Sequence, residues 1–190
     1  MNVSYFQTYI QGILTRLPLW HWAAIGVSSL ALTAILWARK KESVYGATML
    51  GCAVFCGLFL LDVAVVSRWC GLMPHGSGID IKLSFSRLFH PTIYTRAELI
   101  SNIVVFIPFG FFLSVFLAST KRFSIGRQIG LVTLATFALS LLIECLQLIL
   151  HVGFFEVTDL VLNTVGGLIG ATTAAIGRLI IRNATSTETH

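Results

Sequence analysis

Charge is what this chain has least of. Asp, Glu, Lys and Arg make up 11% of its 190 residues, while 56% are hydrophobic. Soluble domains carry about 25% charged and roughly 45–50% apolar residues. Such a shortage of charge excludes a disordered chain, a coiled coil and most soluble enzymes, and a mean hydropathy of +0.85 leaves a membrane protein. The 13 basic and 8 acidic residues, net +5, are too sparse for a nucleic-acid surface. In a membrane protein they mainly set orientation. Four cysteines without CxxC or metal spacing do not make a disulfide scaffold, although Cys70 and Cys145 fall toward one side and form a candidate pair. There is no nucleophile elbow, P-loop or glycine fingerprint, so no cofactor is called for. No HxxxH or HxxE spacing supports a metal site. An internal repeat of the kind that marks inverted-repeat transporters is also missing.

What is there is apolar length. A bilayer core about 30 Å thick needs about 20 apolar residues per helix. Five stretches qualify, at about 19–37, 45–66, 99–117, 129–150 and 157–181. The expected fold is therefore all-α: a polytopic membrane bundle of five transmembrane helices, one domain over residues 1–190, with the bilayer as its first partner. Because Arg39-Lys40-Lys41 follows the first stretch and does not precede it, that stretch reads as an uncleaved anchor. Arg39, Lys40, Lys41, Lys121, Arg122, Arg127, Arg178 and Arg182 fall on one side; Arg16, Arg68, Lys82, Arg87 and Arg96 fall on the other. The positive-inside rule then places the N-terminus outside and the C-terminus in the cytoplasm. One long outer loop, Ser67 to Glu98, joins the second and third helices. Within it Ile79–Ser86 alternates apolar and polar residues, as a strand does. This segment reads either as packing on the helix ends or as a flap over a site.

A polar residue inside a membrane span is expensive and marks a candidate site. Counted from the basic side at 1.5 Å per residue, Asp62, Asn102, Glu144, Gln147, Asp159 and Asn163 all fall about 22–30 Å up. Four helices thus carry polar groups in one outer layer, while the inner half reads as dry. Glu144 and Gln147 are i,i+3; Asp159 and Asn163 are i,i+4, so each pair shares a face. Gly167 and Ala171 continue the Asn163 row, and Gly166 and Gly170 form a close-packing stripe on the adjoining row. Pro108 interrupts the third helix, either as an ordinary kink or as an opening below the layer. His21, His75, His90 and His151 read as external or interfacial. A carboxyl at the depth of Glu144 is expected either to be neutral and bonded to the amides of Gln147 and Asn163, or to be held ionised by a loop arginine, Arg68 or Arg96.

Asn102-x5-Pro108-x-Gly110, Glu144-x-x-Gln147 and Glu156-x-x-Asp159-x3-Asn163-x2-Gly166-x3-Gly170 together resemble the VanZ-like family of bacterial membrane proteins, over about residues 98–175. The resemblance implies an all-helical protein of the bacterial cytoplasmic membrane and an association with resistance to the glycopeptide antibiotic teicoplanin. Family members often carry an arginine between the Glu-x-x-Gln and Asp-x3-Asn segments. Here His151–Phe155 contains none, and Gly153 takes about its place. The expected function is binding of an envelope molecule, lipid-linked or peptidoglycan-related, or of the antibiotic, at an outward site of Asn102, Glu144, Gln147, Asp159 and Asn163. Three alternatives stand beside it. One is an enzyme on lipid-linked substrates with Glu144 and Asp159 as acid and base. The second is a transporter. The third is a purely structural polar network.

Overall fold

The computed structural model describes residues 19–38, 43–72, 81–82 and 93–187. Among them are five helices long and apolar enough to cross a membrane. These are α1 (Leu19–Ala38), α2 (Val44–Trp69), α3 (Ile93–Ser119), α4 (Ile125–Ile149) and α5 (Val157–Thr187). Two short strands complete the elements: β1 (Ile81–Lys82), in the long connection, and β2 (Phe155–Glu156), just before α5. The basic cluster Arg39–Lys41 and the loop residues His75, Arg87 and His90 lie outside the described residues.

Local chemistry sets the ends. Ser43 caps α2 by accepting from the Gly46 N–H at 3.1 Å, and Ser124 occupies the same position before α4. After α4 the chain reverses through His151 at φ 57°, and the Val152 N–H returns to the Gln147 carbonyl at 3.0 Å, closing the helix end. α3 starts earlier than the apolar run alone implies, because Ile93–Glu98 continues its first turns; α5 continues past Arg182 to Thr187. Pro108 leaves α3 unbroken and is exposed, so its missing hydrogen bond faces away from the bundle.

α5 is the central helix. Half of its apolar window is buried, 50% against 11% for α1, and it packs on both α3 and α4. Lipid tails give apolar helices no reason to associate, so close packing must hold them. Gly166 and Gly170 supply it: a Cβ at either would overlap the α3 carbonyls of Ile103 and Ile107. α2 packs on α3, and α1 packs on α2. Leu60, Val65, Phe106, Ile143 and Val152 form the apolar core, near the end where α3 and α5 begin. Leu30, Leu134, Ile149 and Ile180 are exposed, on three different helices, as a lipid-facing surface requires.

Two features differ from expectation. α2 widens into a π turn over Asp62–Val66, with the Ser67 N–H reaching back to the Asp62 carbonyl. In addition, all four cysteines are free, so Cys70 and Cys145 do not pair.

Every described Asp and Glu lies toward one end of the bundle: Asp62, Glu98, Glu144, Glu156 and Asp159. That end is called the acidic end below, and the opposite one the basic end.

Candidate functional site at the acidic end

α4 builds the site from one stripe. Its buried residues Gln128, Val132, Thr136, Ser140, Glu144 and Gln147 recur at helical spacing on the face turned to the bundle. The side chains along this face are mostly small or polar; the Thr136 hydroxyl donates to the Val132 carbonyl of its own helix, and each other polar one fastens a different neighbour. Ser140 accepts from the Asn163 amide nitrogen at 2.8 Å, tying α4 to α5. One turn on, Glu144 is 2% exposed, and its Oε2 accepts from the Glu156 backbone N–H at 2.8 Å. The Gln147 amide donates to the Ala64 carbonyl, inside the π turn of α2, at 3.0 Å. Gly153 lies against the Gln147 side chain, where a Cβ would stand 3.2 Å from it.

The amides therefore do not serve Glu144. Gln147 goes to the π turn and Asn163 to Ser140, while the carboxylate takes a backbone donor from the strand β2. β2 pairs in parallel with β1, Ile81 opposite Phe155 and Lys82 opposite Glu156. Glu144 thus pins a strand that in turn pairs with Ile81 and Lys82. Of the alternating segment Ile79–Ser86, these two residues form the strand, and the rest lies outside the described residues.

Asp159, in the first turn of α5, is half-buried and close enough to Glu144 to act on it electrostatically, as are Glu156 and Arg68. Of the two loop arginines, Arg68 is half-buried beside the site, whereas Arg96 is exposed. Asn102 is half-buried on α3, one turn before the core residue Phe106 and next to Ile103, whose carbonyl meets Gly166. Two acceptor positions stand open. The Asn163 Oδ1 is buried without a partner, and Glu144 accepts no second hydrogen bond among the described residues.

The sequence reads His21 as external or interfacial; the structure sets it near the start of α1, buried, 3% exposed, with Nδ1 at 2.7 Å from Asp62 Oδ1. Asp62 Oδ2 accepts from Ser67 at 3.2 Å. A matching signal was available: an ionisable group in a span needs a partner at its own depth, and His21 opens the neighbouring span. Ser140 was equally legible as the position four before Glu144. The dryness expected of the opposite half does not hold either, since Ser114 and Gln128 are buried and bonded there.

Apart from His21, these residues lie within the region that a known family covers. Residues 47–180 match the VanZ/LLP1 family. The chain belongs to that family. Over 75 residues the chain is 39% identical to Protein VanZ of Enterococcus faecium, covering 38% of this chain and 41% of that protein. The chain thus spans about two fifths of the length of this relative. No solved structure matches. Membership fits the five apolar helices, and the protein is a multi-pass membrane protein. His21 lies before the matched region and Asp62 within it, so the contact of α1 with Asp62 reaches beyond what the family match covers.

Proposed function

We propose that the acidic end faces the outside of the bacterial cytoplasmic membrane and recognises a cell-envelope molecule or a glycopeptide antibiotic, in a teicoplanin-resistance role. The N-terminus is then outside and the C-terminus in the cytoplasm. The observation that carries this reading is the Glu144 carboxylate. It is buried at the end of the bundle, pins β2 alongside the strand β1, and has two further carboxylates and one guanidinium near it. A carboxylate site with an open amide oxygen suits a ligand rich in N–H and O–H donors, which lipid-linked saccharides, peptidoglycan peptides and glycopeptides all are. The site residues are Asn102, Glu144, Gln147, Asp159 and Asn163.

Binding is favoured over catalysis because the hydroxyls on hand are already engaged: Ser140 accepts from Asn163, and Ser67 donates to Asp62. Acid–base chemistry by Glu144 and Asp159 on a lipid-linked substrate is the competing reading, supported by their proximity. Fluorescently labelled teicoplanin and an undecaprenyl-linked precursor, titrated onto the protein in nanodiscs, test the proposal. Saturable binding of one probe is expected, weakened roughly tenfold by Asp159→Asn through loss of one charge-assisted contact. Probe turnover would move the case to the enzyme. Absence of binding by both probes would overturn the proposal.

A further inference from the structure

The basic end holds Lys121, Arg122, Arg127 and Arg178, with no carboxylate at that end among the described residues. Arg178 is the one the fold aims. It is half-buried on α5, and its guanidinium donates to Gln128 Oε1 at 3.1 Å. Gln128, 1% exposed, is itself fixed, because its amide nitrogen donates to the Ser114 carbonyl at 2.8 Å and to the Ser114 hydroxyl at 2.6 Å. The Ser114 hydroxyl donates in turn to the Ala171 carbonyl of α5 at 3.3 Å. Buried polar atoms of three helices thus orient one guanidinium. An amide oxygen satisfies one N–H of the five but supplies no counter-charge. Beside Gln128 in the chain, Arg127 is held over the Phe123 ring at 5.2 Å.

We propose that Arg178 centres a binding site for the headgroup phosphate of an anionic phospholipid. A guanidinium fork with free N–H groups matches phosphate oxygens two at a time. Ile176, Leu179 and Ile180, next to Arg178 on α5, are exposed and apolar, 53%, 41% and 64%. They give an acyl chain a seat that a free phosphate would not use. This site is separate from the acidic end and does not depend on what binds there.

Native mass spectrometry of the full chain, released from micelles containing phosphatidylglycerol or phosphatidylcholine, tests it. Preferential retention of phosphatidylglycerol is expected. Arg178→Gln should reduce that retention roughly tenfold, as loss of a charge-assisted hydrogen bond implies. Arg122→Gln, an exposed cation on the same end, should leave most of it. Arg178→Lys keeps the charge and loses the fork, so it should retain an intermediate amount; it also serves if the glutamine variant does not fold. Equal retention of the two lipids, equal loss in Arg122→Gln, wild-type retention in Arg178→Lys, or displacement by millimolar inorganic phosphate would each overturn the assignment.

Discussion

Glu144 accepts from the backbone N–H of Glu156, so its variants separate shape from charge. Glu144→Gln keeps an oxygen for that N–H and should fold as the wild type does. Glu144→Ala leaves the donor without its acceptor and should cost about 1–3 kcal/mol. Thermal unfolding in detergent checks both, and equal midpoints for the two variants would contradict the assigned contact. At His21 the expected effect is larger. Removing one partner of a buried pair strands the other charge, at about 3–5 kcal/mol. His21→Ala should therefore unfold at a much lower temperature, and adding Asp62→Asn to it should recover part of the loss. Additive losses in the double variant would contradict the pairing.

At the scale of elements, the glycine row of α5 and the π turn of α2 decide the shape of the site. Gly170→Val drives a side chain into the α3 backbone at Ile107 and should cost about 1–3 kcal/mol or prevent folding. Gly177→Ala meets open space and should unfold no earlier than wild type. Unfolding midpoints of the two variants make the comparison.

Much of this was legible in advance, for a physical reason. Span length, the i,i+4 row of Asn163 and Gly167, and the shared depth of Glu144 and Asp159 are properties of a regular helix, and sequence spacing alone fixes them. The π turn is an irregularity of one extra residue. Nothing in Asp62-Val63-Ala64-Val65-Val66 announces it, because the Gln147 amide and the His21 ring that hold it come from other helices. The same holds for the partner of Glu144. A backbone N–H is offered by every residue but proline, so composition carries no sign that Glu156 would supply it.

Among the described residues every carboxylate lies at one end, while Lys121, Arg122, Arg127, Arg178 and Arg182 lie at the other. That polarity and the positive-inside rule set the expected orientation. Cys70, exposed at the acidic end, should react in intact cells with a membrane-impermeant maleimide. Lys121→Cys, exposed at the basic end, should react only after the cells are opened, when it is introduced into a chain lacking Cys70. Labelling of both from one side would contradict a bundle with these ends on opposite faces. The central claim is that the acidic end performs the function and does not merely tie the helices together. Its most direct test is teicoplanin tolerance in a susceptible bacterium expressing the wild type or Glu144→Gln, with membrane abundance measured alongside. The wild type should raise tolerance, and Glu144→Gln should return it to the level of the empty vector at unchanged abundance. Wild-type tolerance from Glu144→Gln at equal abundance would contradict the claim.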